Sequence, residues 1–381
     1  MRFTVFNREP TDKMKQFMFL GTCNNVLRFD EQRYPIFEWL RKKQLGFFWQ
    51  PEEVDVTQDK RDFASMSPNE QHIFTSNLKL QTLADSMAGR AISVATITAV
   101  SLPEVETWYE LVAGWESSIH AASYSHIIRG IYDNPTEVFD SIVNTPEIVA
   151  RAAQMGDQFD ELIEYASWFN LLGIGKHVIN GMDLTLSVFE LKCLVYKAII
   201  ALYILEGVRF YASFACSFAF VERELMDGNG NIIKLIARDE NLHAAGGMHV
   251  INIWRSGNDD PEMLEVMASC REDVLAMFKE AARQECDWAD YLFKDGAIIG
   301  LNAKILKKYI MELTDIRMRD IGLLKDSSIP KTNESQVLPW MHAYITSDDV
   351  QVAPQESEIL SYITAGTDGT LSDDDFNDFD L

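Results

Sequence analysis

Six side chains that prefer water sit inside runs that avoid it. Asp85 lies in LKLQTLADSMAG, Glu116 and His120 in GWESSIHAASY, Glu206 in ALYILEGVRF, and Glu240 with His243 in IARDENLHAAG. Burying one unpaired carboxylate is costly, and burying four without compensation is prohibitive. A bound cation offsets that cost. The six also repeat: a lone acid is followed by an acid–histidine pair, 31 residues on from Asp85 to Glu116 and 34 residues on from Glu206 to Glu240. Four carboxylates and two imidazoles are the donor set of a carboxylate-bridged dimetal site inside a four-helix bundle. Oxygen-rich donors with two nitrogens suit iron or manganese better than thiolate-seeking metals. One acid–histidine pair is weak evidence, because any surface helix can produce it by chance. Two pairs, each preceded by a lone acid in an apolar helix, point to metal.

The elements that must hold these residues read as helices. Ser67 and Pro68 open a long one over residues 68–99, with Phe74, Leu78, Leu80, Leu83 and Met87 on a broad apolar face. Pro103 opens another, which runs to Tyr132 and is ended by Asn134-Pro135. Residues 145–171 form the next. The Gly-rich stretch 173–183 reads as a loop or hairpin. A long apolar helix over 187–226 follows, closed by Asp227-Gly228-Asn229-Gly230, and then come helices over 231–255, 261–292 and 299–320. Strands do not alternate with helices, so the expected fold class is all-α. The most membrane-like stretch, 198–221, carries Glu206 and Arg209, and a buried helix is the better reading than a membrane span.

Composition narrows the function further. The chain has 381 residues with 34 Lys+Arg against 58 Asp+Glu, a formal charge of −24. That acid excess argues against a nucleic-acid or anionic-lipid partner. Five cysteines, with no CxxC spacing, suit reduced thiols, and the N-terminus shows no signal peptide, so the expected location is cytoplasmic. After Lys331 there is no Lys or Arg, while eleven acids remain. The reading is a helical domain over residues 1–340 and a flexible tail over 341–381, too polar to fold alone. Two Phe and a Leu among the acids of residues 373–381 suggest that the tip docks on a partner.

Long motifs over nearly the whole chain resemble the small (beta) subunit of class I ribonucleotide reductase. They include FFWQPEEVDV (47–56), SLPEVETW (101–108), IHAASYSHIIR (119–129), RFYASFACSFAFVERELM (209–226), IARDENLH (236–243), DWADYLFKDG (287–296) and QVAPQESEILSY (351–362). The resemblance implies a ferritin-like four-helix bundle enlarged by further helices. It implies two iron ions per chain, with manganese possible, on Asp85, Glu116, His120, Glu206, Glu240 and His243. Dioxygen would activate that centre and leave a radical on Tyr124, one turn after His120, within an apolar pocket of Phe210, Phe214 and Ile236. Trp49 would relay an electron toward the metals, and Asp239 would link Trp49 to a ligand histidine. Glu356 and Tyr362 would carry the radical to the large (alpha) subunit, which binds residues 373–381 and holds the nucleotide. A homodimer is implied by the resemblance alone.

One departure stands out. The family pattern places the first acid three residues before its histidine, whereas Glu116 is four before His120 and Ser117 takes the usual place. At about 100° per residue, three positions separate a pair by about 60° and four by about 40°, so one helix face still carries both. A π-bulge absorbs a one-residue insertion of this kind. If Glu116 pointed away, the first metal position would lose a carboxylate. Two alternatives therefore stay open on the residues: a stand-alone ferritin-like dimetal oxidase, and a binding subunit with a degenerate metal site.

Overall fold

In the computed structural model, residues 4–324 and 335–345 are described. The helices are α1 Pro35–Gly46, α2 Thr57–Ser65, α3 Pro68–Arg90, α4 Pro103–Gly114, α5 Ala121–Ile131, α6 Pro135–Ile142, α7 Pro146–Leu172, α8 Val188–Ile204, α9 Tyr211–Val221, α10 Asp227–Ser256, α11 Met263–Ser269, α12 Arg271–Leu292, α13 Ala303–Asp320 and α14 His342–Ile345. The class is all-α, as expected. Among the described residues, the one sheet is the hairpin of β1 Gly175–Ile179 and β2 Met182–Leu186. Its two-residue turn, Asn180-Gly181, has φ values of 52° and 82°, the left-handed pair that Asn-Gly favours.

Three π-helical turns shape the bundle. Ala91–Thr96 extends α3, Trp115–His120 joins α4 to α5, and Leu205–Arg209 lies between α8 and α9. The three long helices read from sequence as uninterrupted, 68–99, 103–132 and 187–226, are therefore each widened by a turn of i→i+5 bonding, and in the last two that turn carries candidate ligands. Apolar side chains fill the space on both sides of those turns. One cluster includes Trp49, Tyr124, Phe210, Phe214 and Ile236, and the other includes Trp108, Tyr109, Tyr203 and Trp254.

Three boundaries differ from the sequence reading. The apolar helix ends at Val221, not at residue 226, and Asp227-Gly228-Asn229-Gly230 opens α10 instead of closing its predecessor. The break falls earlier, where Glu224 and Met226 take positive φ of 57° and 60°. Asp59 decides the helix start from far away in sequence: its carboxylate accepts from the backbone N–H of Gly228 (3.0 Å) and Asn229 (2.5 Å). Asp62, one turn on, accepts from Met226 N–H at 3.0 Å. Acids of α2 thus satisfy donors that a helix N-terminus leaves open. Residues 261–292 form two helices rather than one, interrupted at Cys270 (φ −85°, ψ 2°) with no Gly or Pro to mark the place. The last long helix starts at Ala303, where Asn302 caps it by accepting from Ile305 N–H at 3.0 Å.

No described helix is long and apolar enough to cross a membrane. Beyond α13, Tyr344 of α14 stacks on Phe218 with centroids 4.3 Å apart and donates to Glu222 Oε1 at 2.6 Å.

The close approach of α2 to α10 gives a prediction with an unusual sign. In an open helix, Gly→Ala stabilises by about 1 kcal/mol. At Gly228 an added Cβ would lie 2.5 Å from the Asp55 carbonyl oxygen. Gly228→Ala should therefore destabilise, by about 1–3 kcal/mol as overpacking does, read as a lower urea midpoint at unchanged slope.

Candidate metal centre

Four segments deliver the six predicted side chains to one buried point. Asp85 comes from α3, Glu116 and His120 from the π-turn after α4, Glu206 from the π-turn after α8, and Glu240 with His243 from α10. None is more than 4% exposed. They fall into two overlapping groups, Asp85–Glu116–His120–Glu240 and Glu116–Glu206–Glu240–His243, with the donor atoms of each group all within 4.8 Å of one another. Glu116 and Glu240 belong to both groups, so the two groups would hold two neighbouring ions.

The extra residue before His120 is taken up by the π-turn, and Glu116 points inward. Its Oε1 lies 2.7 Å from His243 Nδ1 and its Oε2 3.3 Å from His120 Nδ1. Ser117 turns away, its hydroxyl donating to the Ala113 carbonyl at 2.7 Å. Both imidazoles present Nδ1 to the cluster: His120 reaches Glu240 Oε1 at 3.0 Å and Asp85 Oδ2 at 3.8 Å, and His243 reaches Glu240 Oε2 at 3.3 Å and Glu206 Oε2 at 4.0 Å.

The donor set fits a pair of hard divalent ions. Both oxygens of Asp85 and both of Glu206 are buried without a hydrogen bond of sound geometry. Native interiors seldom leave such groups unmatched unless an ion or water completes them. Charge crowding agrees. Burial, then Glu116 and Glu240, push the Asp85 carboxyl well above its usual range; burial, then Glu240 and Glu116, do the same to Glu206. Burial works against a charged imidazole, yet the carboxylates around each ring win, raising His120 well above the ordinary value and His243 to about 9. Metal-free, the cluster holds protons where cations would sit.

Asp239 supports the first histidine. Its Oδ2 lies 3.3 Å from His120 Nε2, which leaves Nδ1 free for a metal. The same oxygen accepts from Trp49 Nε1 at 2.8 Å, as the sequence reading expected. Two further donors were not singled out in sequence: Trp115 Nε1, 3.0 Å from Oδ2, and the Arg238 guanidinium, 3.2 Å from Oδ1. Arg238 could have been found as a cation inside an apolar helix, while Trp115 carried no signal beyond standing next to Glu116. Burial raises the Asp239 carboxyl, but Arg238, His120 and Trp49 outweigh it and keep the group ionised.

Tyr124 is fully buried on α5. Burial first, then the Asp85 and Glu240 carboxylates, hold its hydroxyl well above the ordinary phenol range. Phe210, Phe214 and Ile236 are buried in the same apolar cluster, with Phe210 and Phe214 stacked at 5.8 Å. Glu356, Tyr362 and residues 373–381 lie outside the described residues.

Residues 27–326 match the family described as ribonucleotide reductase, small chain. The chain belongs to that family. It is 49% identical to ribonucleoside-diphosphate reductase 1 subunit beta of Escherichia coli O157:H7 and 47% identical to ribonucleoside-diphosphate reductase subunit beta of Haemophilus influenzae, each match covering 100% of both chains. Among solved structures it is similar to the ribonucleotide reductase R2 subunit from Clostridium botulinum, with a TM-score of 0.74 and 21% identity, covering 91% of this chain and 98% of that one. The family and that likeness agree with the ferritin-like bundle expected from sequence. As a ribonucleotide reductase small chain, the protein is a subunit of an oxidoreductase.

Two predictions follow from the cluster. Each ion must displace protons from a metal-free cluster in which His243 titrates near 9. Manganese(II) or iron(II) affinity should therefore rise with pH from 6 to 9, and loading in weakly buffered anaerobic solution should release protons, measured by pH-stat titration. Glu116→Ala should weaken both ions, whereas Asp85→Ala should weaken one, measured as bound metal per chain after equilibrium dialysis.

Proposed function

We propose that this chain is the radical-generating subunit of a ribonucleoside-diphosphate reductase, serving deoxyribonucleotide synthesis. The observation that carries the reading is the pair of overlapping four-residue groups beside a fully buried tyrosine. Asp85, Glu116, His120, Glu206, Glu240 and His243 would hold two iron ions, with manganese the alternative for the same donors. With dioxygen, such a pair supplies the one-electron oxidant that makes a tyrosyl radical.

The chain's own residues would do the rest. Asp239 holds His120 with Nδ1 toward the ions. The Tyr124 hydroxyl, against the Asp85 carboxylate, has a base at hand for its proton when the ring is oxidised. Phe210, Phe214 and Ile236 keep water and hydrogen donors from the oxidised ring. Trp49, through Asp239, would pass one electron toward the centre. Of the expected tail 341–381, residues 341–345 pack on the domain, and the remainder would form the tail, with Glu356 and Tyr362 carrying the oxidising equivalent outward and residues 373–381 binding the large subunit, which holds the nucleotide. We further propose a homodimer in the cytoplasm.

A stand-alone oxidase could use the same ligands, but it would have no need of Tyr362, Glu356 or an apolar-tipped acidic tail. A degenerate binding subunit rests only on the Glu116–His120 spacing, and the inward turn of Glu116 speaks against it.

The deciding experiment is electron paramagnetic resonance after anaerobic iron(II) loading and exposure to air. A tyrosyl signal should form in the full chain, with about two irons per chain as the family's di-iron bundles hold, and should vanish in Tyr124→Phe at unchanged metal content. Absence of the signal from the unsubstituted chain would sink the radical reading. Removing residues 373–381 should abolish capture by the large subunit without altering that signal.

A further inference from the structure

Asp239 Oδ2 accepts from two indoles, Trp49 at 2.8 Å and Trp115 at 3.0 Å, and the same oxygen faces His120 Nε2. Trp115 is the first residue of the π-turn that absorbs the extra residue before His120, so the insertion and the second indole come together. A buried indole N–H often finds an acceptor merely for satisfaction. That bland account is weak here, because Trp108 Nε1, buried in the adjoining core, has no such partner. The two indoles also differ in their surroundings. Both rings are buried, Trp49 at 0% and Trp115 at 4% exposure, but the Trp115 ring meets the edge of Phe48 at 6.0 Å, and Phe48 is 46% exposed.

Resting on the function proposed above, we propose that Trp115 is a second electron-relay residue, feeding the same Asp239–His120 pair as Trp49 and reaching the surface beside Phe48. Trp115 would give up one electron by way of Asp239 and His120, the oxidant being the dioxygen with which the ions held by the six ligands would react. No heavy-atom bond forms or breaks, and the Nε1 proton stays in its hydrogen bond to the Asp239 carboxylate, whose negative charge stabilises the oxidised ring. A small one-electron reductant at the surface, ferrous ion or ascorbate, returns the electron to the indole.

The test has two arms on the full-length chain. In the metal-free protein with ¹⁵N-labelled tryptophan, Asp239→Asn should shift the indole N–H resonances of both Trp49 and Trp115, each assigned by its Phe variant. A Trp115 resonance that stays put would overturn the shared acceptor. In freeze-quench electron paramagnetic resonance after iron(II) and oxygen, Trp49→Phe should retain a transient indole radical that Trp49→Phe/Trp115→Phe loses. If the double variant fails to hold metal, Trp49→Phe/Trp115→Tyr takes its place. A tyrosyl radical in the unsubstituted chain, with no indole radical surviving Trp49→Phe, overturns the relay alone. No tyrosyl radical in the unsubstituted chain overturns the functional reading and the relay with it.

Discussion

Four carboxylates and two imidazoles removed from water at one point are the constraint to which the rest of the bundle answers. Ionised side by side in a low-dielectric interior, the acids would repel one another by far more than a domain's net stability. Burial and mutual repulsion push the Asp85 and Glu206 carboxyls upward, and the carboxylates around His120 and His243 push both imidazoles upward, so each of these groups favours its proton more than it would in water. A pair of cations at this point would supply the charge that four carboxylates need.

The scaffold does so by departing from regular helix. Glu116, His120 and Glu206 all sit on π-turns, where the wider bonding pattern shifts a side chain relative to the α-helical ridge. Regular helices would keep apolar ridges in register with their neighbours. The π-turns let one segment serve the core on either side and the polar point between, which is why such turns concentrate at functional sites.

The two halves of the site are not equal, although the sequence repeat suggests they are. His120 is backed by Asp239, which is itself held by Trp49, Trp115 and Arg238. On the other side, His243 Nε2 has no protein partner, and Trp108 meets that ring edge-on at 6.1 Å. At Nε2, orientation is therefore imposed on His120 by a hydrogen bond and on His243 by packing. The side with the Asp239 carboxylate is also the side on which Trp49 and Trp115 share one acceptor oxygen.

That Asp85, Glu116, His120, Glu206, Glu240 and His243 come together was legible in the sequence because charge in an apolar run has few explanations, and because helical spacing limits which residues can meet. The all-α class and a loop or hairpin over 173–183 were legible for similar local reasons, though only the structure chose the hairpin and ran its second strand to Leu186. Motif resemblance carried Trp49, Asp239 and Tyr124. Tertiary structure alone decided what depends on partners distant in sequence. Asp59 turns a Gly-rich stretch that reads as a stop into the start of α10, and the π-turn at residues 115–120 absorbs an insertion while keeping Glu116 pointed at the cluster and bringing Trp115 onto Asp239. In each case the local sequence is compatible with more than one backbone, and a hydrogen bond or close contact across more than a hundred residues selects among them.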